Sequence, residues 1–187
     1  MSRVWLVTGS SRGIGLAVVI AAARKPQKLQ HLVEKYGSDR NPSVALHVTN
    51  NCDVVKAGHE KFGRNDVVVN TARYANLAAT EDIAIDDFRA QVDASFLGDV
   101  YVTKAVLPIL RRQGSGHILL VSSLGEILGS PGLCAYQASK WAAGEFSSVL
   151  SSKFKSLDIN ITVLEPGGIR LIGLTATSME ILAISKP

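Results

Sequence analysis

Short apolar runs recur along the chain, separated by amphipathic or loop-like stretches. Val4–Val7, Val44–Val48, Asp66–Val69, His117–Ser122 and Ile159–Leu164 are predicted strands. They are rich in Val, Ile and Leu and lack polar–apolar alternation, the pattern of strands covered on both faces. Helices are predicted over Pro26–Tyr36, Ile85–Arg112 and Ala135–Ser156. Around the second, Ile83, Phe88 and Val92 lead into Phe96, Val100, Lys104 and Leu107 as an approximate helical stripe. Pro108 is expected to kink or end that helix. Strands alternating with helices predict an α/β fold, a Rossmann-like doubly wound parallel sheet in a three-layer α/β/α arrangement. With no internal repeat, low-complexity tract or linker, residues 1–187 read as one domain.

One stretch breaks the alternation. Between Gly15 and Pro26 stands Leu16-Ala17-Val18-Val19-Ile20-Ala21-Ala22-Ala23-Arg24-Lys25. A parallel crossover with its helix takes at least about 10–12 residues, so this space holds a helix or a second strand but not both. Composition allows either. A helix is favoured here, because a glycine loop gains its anion-binding character from a helix N-terminus behind it.

That loop is the first chemical signal. Thr8-Gly9-Ser10-Ser11-Arg12-Gly13-Ile14-Gly15 follows the strand-like Val4-Trp5-Leu6-Val7 directly. Glycines at such a strand–helix junction allow a tight turn, close approach of backbone to a pyrophosphate, and close helix–strand packing. The freed N–H groups then face phosphate. Gly9, Ser11, Arg12, Gly13 and Gly15 are therefore candidate dinucleotide contacts. Arg12, with Arg24 and Lys25 nearby in sequence, suits a 2′-phosphate, which favours NADP with NAD as the alternative.

The second signal lies in the other half. Tyr136 and Lys140 are one helical turn apart and share a face. A phenol in isolation is a weak acid–base group, and an ammonium beside it favours its phenolate form. Ser123 stands thirteen positions before Tyr136, just past a predicted strand, where its hydroxyl can hydrogen-bond a substrate oxygen. Ser123, Tyr136 and Lys140 together form a candidate set for proton transfer to a carbonyl or from an alcohol. Leu124, Ile127, Leu128, Leu133 and Cys134 lie between Ser123 and Tyr136 and are candidates for the pocket wall or for loop packing.

Composition narrows the classes. The chain has 187 residues, 47% hydrophobic and 19% charged, enough for one sizeable core. The net charge of +4 suits an acidic ligand, but the basic residues are scattered rather than gathered on a stripe, which argues against nucleic acid. Cys52 and Cys134 form neither a metal-ligand spacing nor a disulfide framework, so no metal is expected. The longest apolar run, Ala17–Ala23, is too short to span a bilayer, and no signal peptide is visible. A cytoplasmic location is expected.

In this order the motifs are similar to those of the short-chain dehydrogenase/reductase family, and the resemblance runs over nearly the whole chain. It rests on Thr8-Gly9-x-x-x-Gly13-x-Gly15, Asn70-Thr71-Ala72, Ser123, Tyr136-x-x-x-Lys140 and Pro166-Gly167. It implies an NAD(P)-dependent oxidoreductase acting on a small carbonyl or alcohol. Tyr136 would be the proton donor or acceptor, Lys140 its phenolate-favouring and ribose-holding partner, and Ser123 the substrate positioner. It implies adenosine-side contacts near Ile14 and Asn70, and nicotinamide contacts near Pro166, Gly167 and Ile169.

The departures carry weight too. The usual Asn-Asn-Ala-Gly is Asn70-Thr71-Ala72-Arg73, which sets a long side chain where backbone and cofactor approach. His47 stands where an adenine-contacting Asp is common, and Arg170 and its neighbours where a nicotinamide-contacting Thr is common. Ser95 stands where an Asn often serves a proton relay, and it lacks the amide carbonyl. Family members usually continue further, so the resemblance implies loss of a C-terminal substrate segment and of one N-terminal crossover element. A homo-oligomer is correspondingly less expected. An alternative reading is therefore a truncated, non-catalytic relative that binds cofactor or a protein partner. An extended-type epimerase or dehydratase ranks last on its different glycine spacing.

Overall fold

The computed structural model describes residues 3–9, 20–23, 30, 34, 44–45, 55, 59–60, 62–72, 74–123 and 128–166. Six strands form one sheet: β1 (Trp5–Thr8), β2 (Ile20–Ala23), β3 (Val44–Ala45), β4 (Val67–Asn70), β5 (Gly116–Val121) and β6 (Ile159–Leu164). Their order is β3-β2-β1-β4-β5-β6, and every pairing is parallel. The chain winds outward from β1 in one direction to β3, then returns beside β1 as β4 and winds the other way. The switch point lies between β1 and β4, where doubly wound sheets open a ligand crevice at their carboxyl ends.

The unalternated runs are explained by the core. Leu6, Val68, Ile118 and Leu120 join one buried cluster, with Val102, Val106, Ile109, Leu110 and Phe154 from the helices. The intervening Val7, Val67, Val69 and Val121 form a second cluster. Successive side chains point to opposite faces, and both faces are apolar.

Three helices are described in full. They are α1 (Ile85–Val92), α2 (Gly98–Gln113) and α3 (Cys134–Phe154), with a π-helical turn at Asp93–Leu97 joining α1 to α2. The expectation that Pro108 kinks or ends its helix gives way in one respect: α2 continues to Gln113. Pro108 is exposed, while Val106, Ile109 and Leu110 are buried around it. Each buried side chain contributes about 1.5–3 kcal/mol. Together they outweigh the roughly 3 kcal/mol cost of an interior proline.

The favoured helix over 16–25 is corrected. Ile20–Ala23 is a strand, with Leu6 opposite Ile20, Val7 opposite Ala21 and Thr8 opposite Ala22. The run Ile-Ala-Ala-Ala is locally indifferent, and the unpaired edge of β1 decides it by offering a ladder of backbone partners. The predicted strand 44–48 is described only at Val44–Ala45, and the helix over 26–36 only at Gln30 and Glu34, both helical. The other four strands and two helices stand within two residues of their predicted ends.

Polar side chains stitch the amino ends of the strands. Val4 N–H donates to Asp66 Oδ2 at 2.7 Å, and Arg64 Nε reaches the same carboxylate at 2.9 Å. Burial raises the Asp66 carboxyl, but these two hydrogen bonds and the Arg64 charge overcome it and hold the group below its ordinary value. His117 Nε2 lies 2.8 Å from Thr162 Oγ1, joining β5 to β6. Burial, and after it the Arg3 cation, push the His117 imidazole down. Asn65 N–H donates to Gln113 Oε1 at 2.9 Å while Gln113 Nε2 donates to Asn65 O at 2.7 Å, which ties the end of α2 to the start of β4. Among the described residues no helix is long and apolar enough to cross a membrane.

Candidate active site

Because all six strands are parallel, their carboxyl ends share one edge of the sheet. Thr8 and Gly9 end β1, Asn70 ends β4, Ser122 and Ser123 follow β5, and Pro166 follows β6. Thr8 lies opposite Asn70, Asn70 opposite Leu120, and Val121 opposite Leu164. Ser122 N–H extends the ladder to Leu164 O at 2.6 Å.

The β1–β4 end is knotted through Thr8. Thr71 N–H and Ala72 N–H donate to Thr8 Oγ1 at 3.1 and 3.3 Å, and Thr71 Oγ1 donates back to Thr8 O at 2.5 Å. Gly9 follows with φ +71°, and a Cβ there would sit 2.8 Å from Ala72 N and Cα. Only glycine fits both the left-handed backbone and the close approach. The close approach is to the main chain that follows β4, so it packs the end of β1 tightly against that segment. Asn70 is buried beside it. Ser11, Arg12, Gly13, Ile14, Gly15, Gly167 and Ile169 lie outside the described residues, as do Arg24, Lys25, His47, Arg73 and Arg170.

Tyr136 and Lys140 lie in the first half of α3. Lys140 is only 1% exposed, and its Nζ donates to Val121 O at 3.3 Å. The same Nζ lies 5.6 Å from the centroid of the Tyr136 ring. The ammonium thus links the phenol-bearing helix to the end of β5, two residues before Ser123. The structure brings Lys140 beside the Tyr136 ring and against Val121. The ammonium is a cation fixed in place between a backbone carbonyl and an aromatic face.

The helix facing α3 has an irregularity at this level. The π-helical turn carries Ser95, which is 2% exposed, with an Oγ that has no hydrogen-bond partner among the described residues. Phe96, its neighbour, packs edge-on against Phe146 of α3, with centroids 6.0 Å apart. π-turns inside helices frequently mark functional sites. Among the described residues no cluster of His, Cys, Asp or Glu is able to hold a metal ion.

Residues 3–180 match the short chain dehydrogenase family. The chain belongs to that family. Its full length aligns at 56% identity with 73% of an oxidoreductase, BOA17, of Botryotinia fuckeliana. Of the solved structures, a short-chain dehydrogenase of Streptomyces avermitilis superposes with a TM-score of 0.85 at 35% identity, over 90% of this chain and 68% of that one. An alcohol dehydrogenase of Thermococcus sibiricus, complexed with 5-hydroxy-NADP, gives 0.81 at 26% identity, over 89% of this chain and 77% of its own.

Two departures from the family pattern take on a physical meaning here. Thr71, in place of an Asn, supplies the hydroxyl that bonds Thr8 O and joins the ends of β1 and β4. Ser95, in place of an Asn, is enclosed but bonded to nothing among the described residues. The sequence reading did not assign Gln91 and Gln137. Both are buried glutamines bonded to loop backbone, and a helical glutamine ordinarily reads as a solvated residue.

Proposed function

We propose that this chain is an NADP(H)-dependent oxidoreductase that interconverts a carbonyl compound and its alcohol, with Tyr136 as acid–base catalyst. The observation that carries the reading is the buried Lys140 ammonium, held between Val121 O and the Tyr136 ring at the strand end bearing Ser123. A buried cation next to a phenol, at the strand end that bears a serine, is the kind of arrangement found where proton transfer takes place. The reading is further supported by the Gly9 cradle, and by the Thermococcus relative bound to an NADP derivative.

In this reading Gly9 and the glycine loop would hold the pyrophosphate, Asn70 would lie along the adenosine side, and Lys140 would take ribose hydroxyls. Pro166, Gly167 and Ile169 would flank the nicotinamide. The chemistry such a cofactor would supply, when bound, is a hydride for the carbonyl carbon. Tyr136 Oη gives its proton to the carbonyl oxygen, Ser123 donates a hydrogen bond to that same oxygen, and Lys140 compensates the charge left on the phenolate. The reverse direction runs the same groups backwards. Leu128, Leu133 and Cys134, which lie between Ser123 and Tyr136 in sequence, would line the substrate side and favour an apolar carbonyl compound. Arg12, Arg24 and Lys25 favour the phosphorylated cofactor.

The test is a titration with NADPH and NADH followed by fluorescence of Trp5, at the start of β1, and Trp141, which is 60% exposed beside Lys140. Saturable binding with NADPH preferred, together with turnover of a ketone panel that Tyr136→Phe abolishes, is the expected result. Failure of a folded sample to bind either cofactor overturns the reading. Ser95 favours a second reading, a cofactor binder without turnover. Saturable binding with no turnover across the panel selects it.

A further inference from the structure

Gln137, the neighbour of Tyr136 on α3, is buried and has no part in the proton transfer just described. Both ends of its amide are used. Ser130 N–H donates to Gln137 Oε1 at 2.7 Å, and Gln137 Nε2 donates to Leu128 O at 2.5 Å. The segment 128–130 belongs to no strand, and this side chain gives its backbone what a neighbouring strand would have given. The clamp grips the chain five positions after Ser123 and six before Tyr136.

The opposite loop is held in the same way. Asn76 N–H donates to Gln91 Oε1 at 2.9 Å, and Gln91 Nε2 donates to Tyr74 O at 3.3 Å. Gln91 is fully buried at the end of α1, which packs against α3. One backbone bond then joins the two loops, with Ala78 N–H donating to Gly132 O at 3.0 Å. The large side chains exposed along this joint are Leu77 and Leu128, both apolar.

We propose that Gln137 is a positioning residue for the substrate side of the site. It holds Leu128–Ser130 against the loop bearing Leu77, so that the two leucines form a fixed apolar lip beside Tyr136. The lip selects carbonyl compounds by bulk and apolarity, and its position is set by an amide clamp rather than by the proton-transferring groups. The proposal rests on the carbonyl-reducing function proposed above.

Gln137→Met removes both hydrogen bonds at nearly constant volume, and Gln137→Glu keeps the acceptor but, when ionised, loses the donor. The readouts on the full chain are amide hydrogen exchange, NADPH affinity, and kcat and KM for ketones of graded size. In Gln137→Met the Ser130 amide is expected to exchange about tenfold faster, the scale of one lost backbone partner, while β5 amides stay unchanged. KM for bulky apolar ketones is expected to rise about fivefold to tenfold, with kcat and NADPH affinity within about twofold. Gln137→Glu is expected to approach wild-type KM as pH falls and its carboxyl regains a proton to donate. Should Gln137→Met fail to fold, Leu128→Ala on the exposed lip is expected to flatten the size preference by itself. Unchanged Ser130 exchange, a fall in kcat with KM constant, or unaltered selectivity in Leu128→Ala would overturn the proposal. A wild-type chain that turns over no carbonyl compound refutes the proposed function instead, and the Ser130 exchange comparison then decides the clamp.

Discussion

Gly9→Ala tests the cradle most directly, because its cost has two separable parts. The first is conformational: φ +71° is left-handed, and a residue with a Cβ gives up about 1–2 kcal/mol there. The second is steric. The new Cβ would lie 2.8 Å from Ala72 N, Ala72 Cα and Thr71 Oγ1, and Ala72 is itself anchored, its N–H on Thr8 Oγ1 at 3.3 Å. Backbone fixed in this way does not yield cheaply, and overpacking costs about 1–3 kcal/mol. Together the two give about 3 kcal/mol, a melting point lowered by about 6–12 °C for a chain of this size. Gly63→Ala supplies the internal control. Gly63 also has φ +71°, but no described residue lies within 4 Å of a Cβ there, so it should show the conformational part alone. Thermal unfolding of both variants, followed by far-ultraviolet circular dichroism and paired with NADPH titration, makes the comparison. The expected result is a clear excess loss for Gly9→Ala together with weakened cofactor binding. Equal losses in the two variants would refute the close approach of Gly9 to β4. Undiminished NADPH affinity in a folded Gly9→Ala sample would refute its role in the cradle.

Three further outcomes follow from the same geometry. Lys140→Met removes the donor to the buried Val121 O, so stability should fall by about 1 kcal/mol or more while ketone turnover is lost, as measured by unfolding midpoint and initial rate. Both shifted groups near the amino ends of β4 and β5 make stability climb with pH. His117 is lowered, so its contribution is whole above about pH 6.5 and is lost as pH falls through its folded value; Asp66 is lowered too, so its contribution is whole above about pH 4 and fades below that. Denaturant midpoints measured against pH should therefore flatten just below about pH 6.5 in His117→Gln and below about pH 4 in Asp66→Asn, and an unchanged slope counts against the assignment. Ser95→Ala removes a buried hydroxyl that has no partner among the described residues, so it should leave stability unchanged or raise it slightly, where loss of a bonded hydroxyl would cost about 1 kcal/mol or more.

What could be read in advance depended on whether one segment held the whole cause. Val67, Val68 and Val69 announce a strand because both sheet faces are apolar, and the residues themselves carry that pattern. Tyr136 and Lys140 announce a shared face because helical spacing alone brings them together. Ile20–Ala23 does not announce itself, since its conformation is decided by the open edge of β1, fourteen positions away in register. Gln91 and Gln137 are the same case at the site. A glutamine amide clamps a loop only if the fold delivers a backbone donor and acceptor at its two ends, and neither loop is near it on a helix face. The departures from family pattern are governed by the same condition. Thr71 and Ser95 look alike as polar replacements of Asn, yet one hydroxyl bonds Thr8 O and the other bonds nothing described. A substitution at a site therefore has a consequence only through its partners. Lys140 has the widest set of such partners at this strand end, because its burial couples α3, the end of β5 and the Tyr136 ring through one side chain.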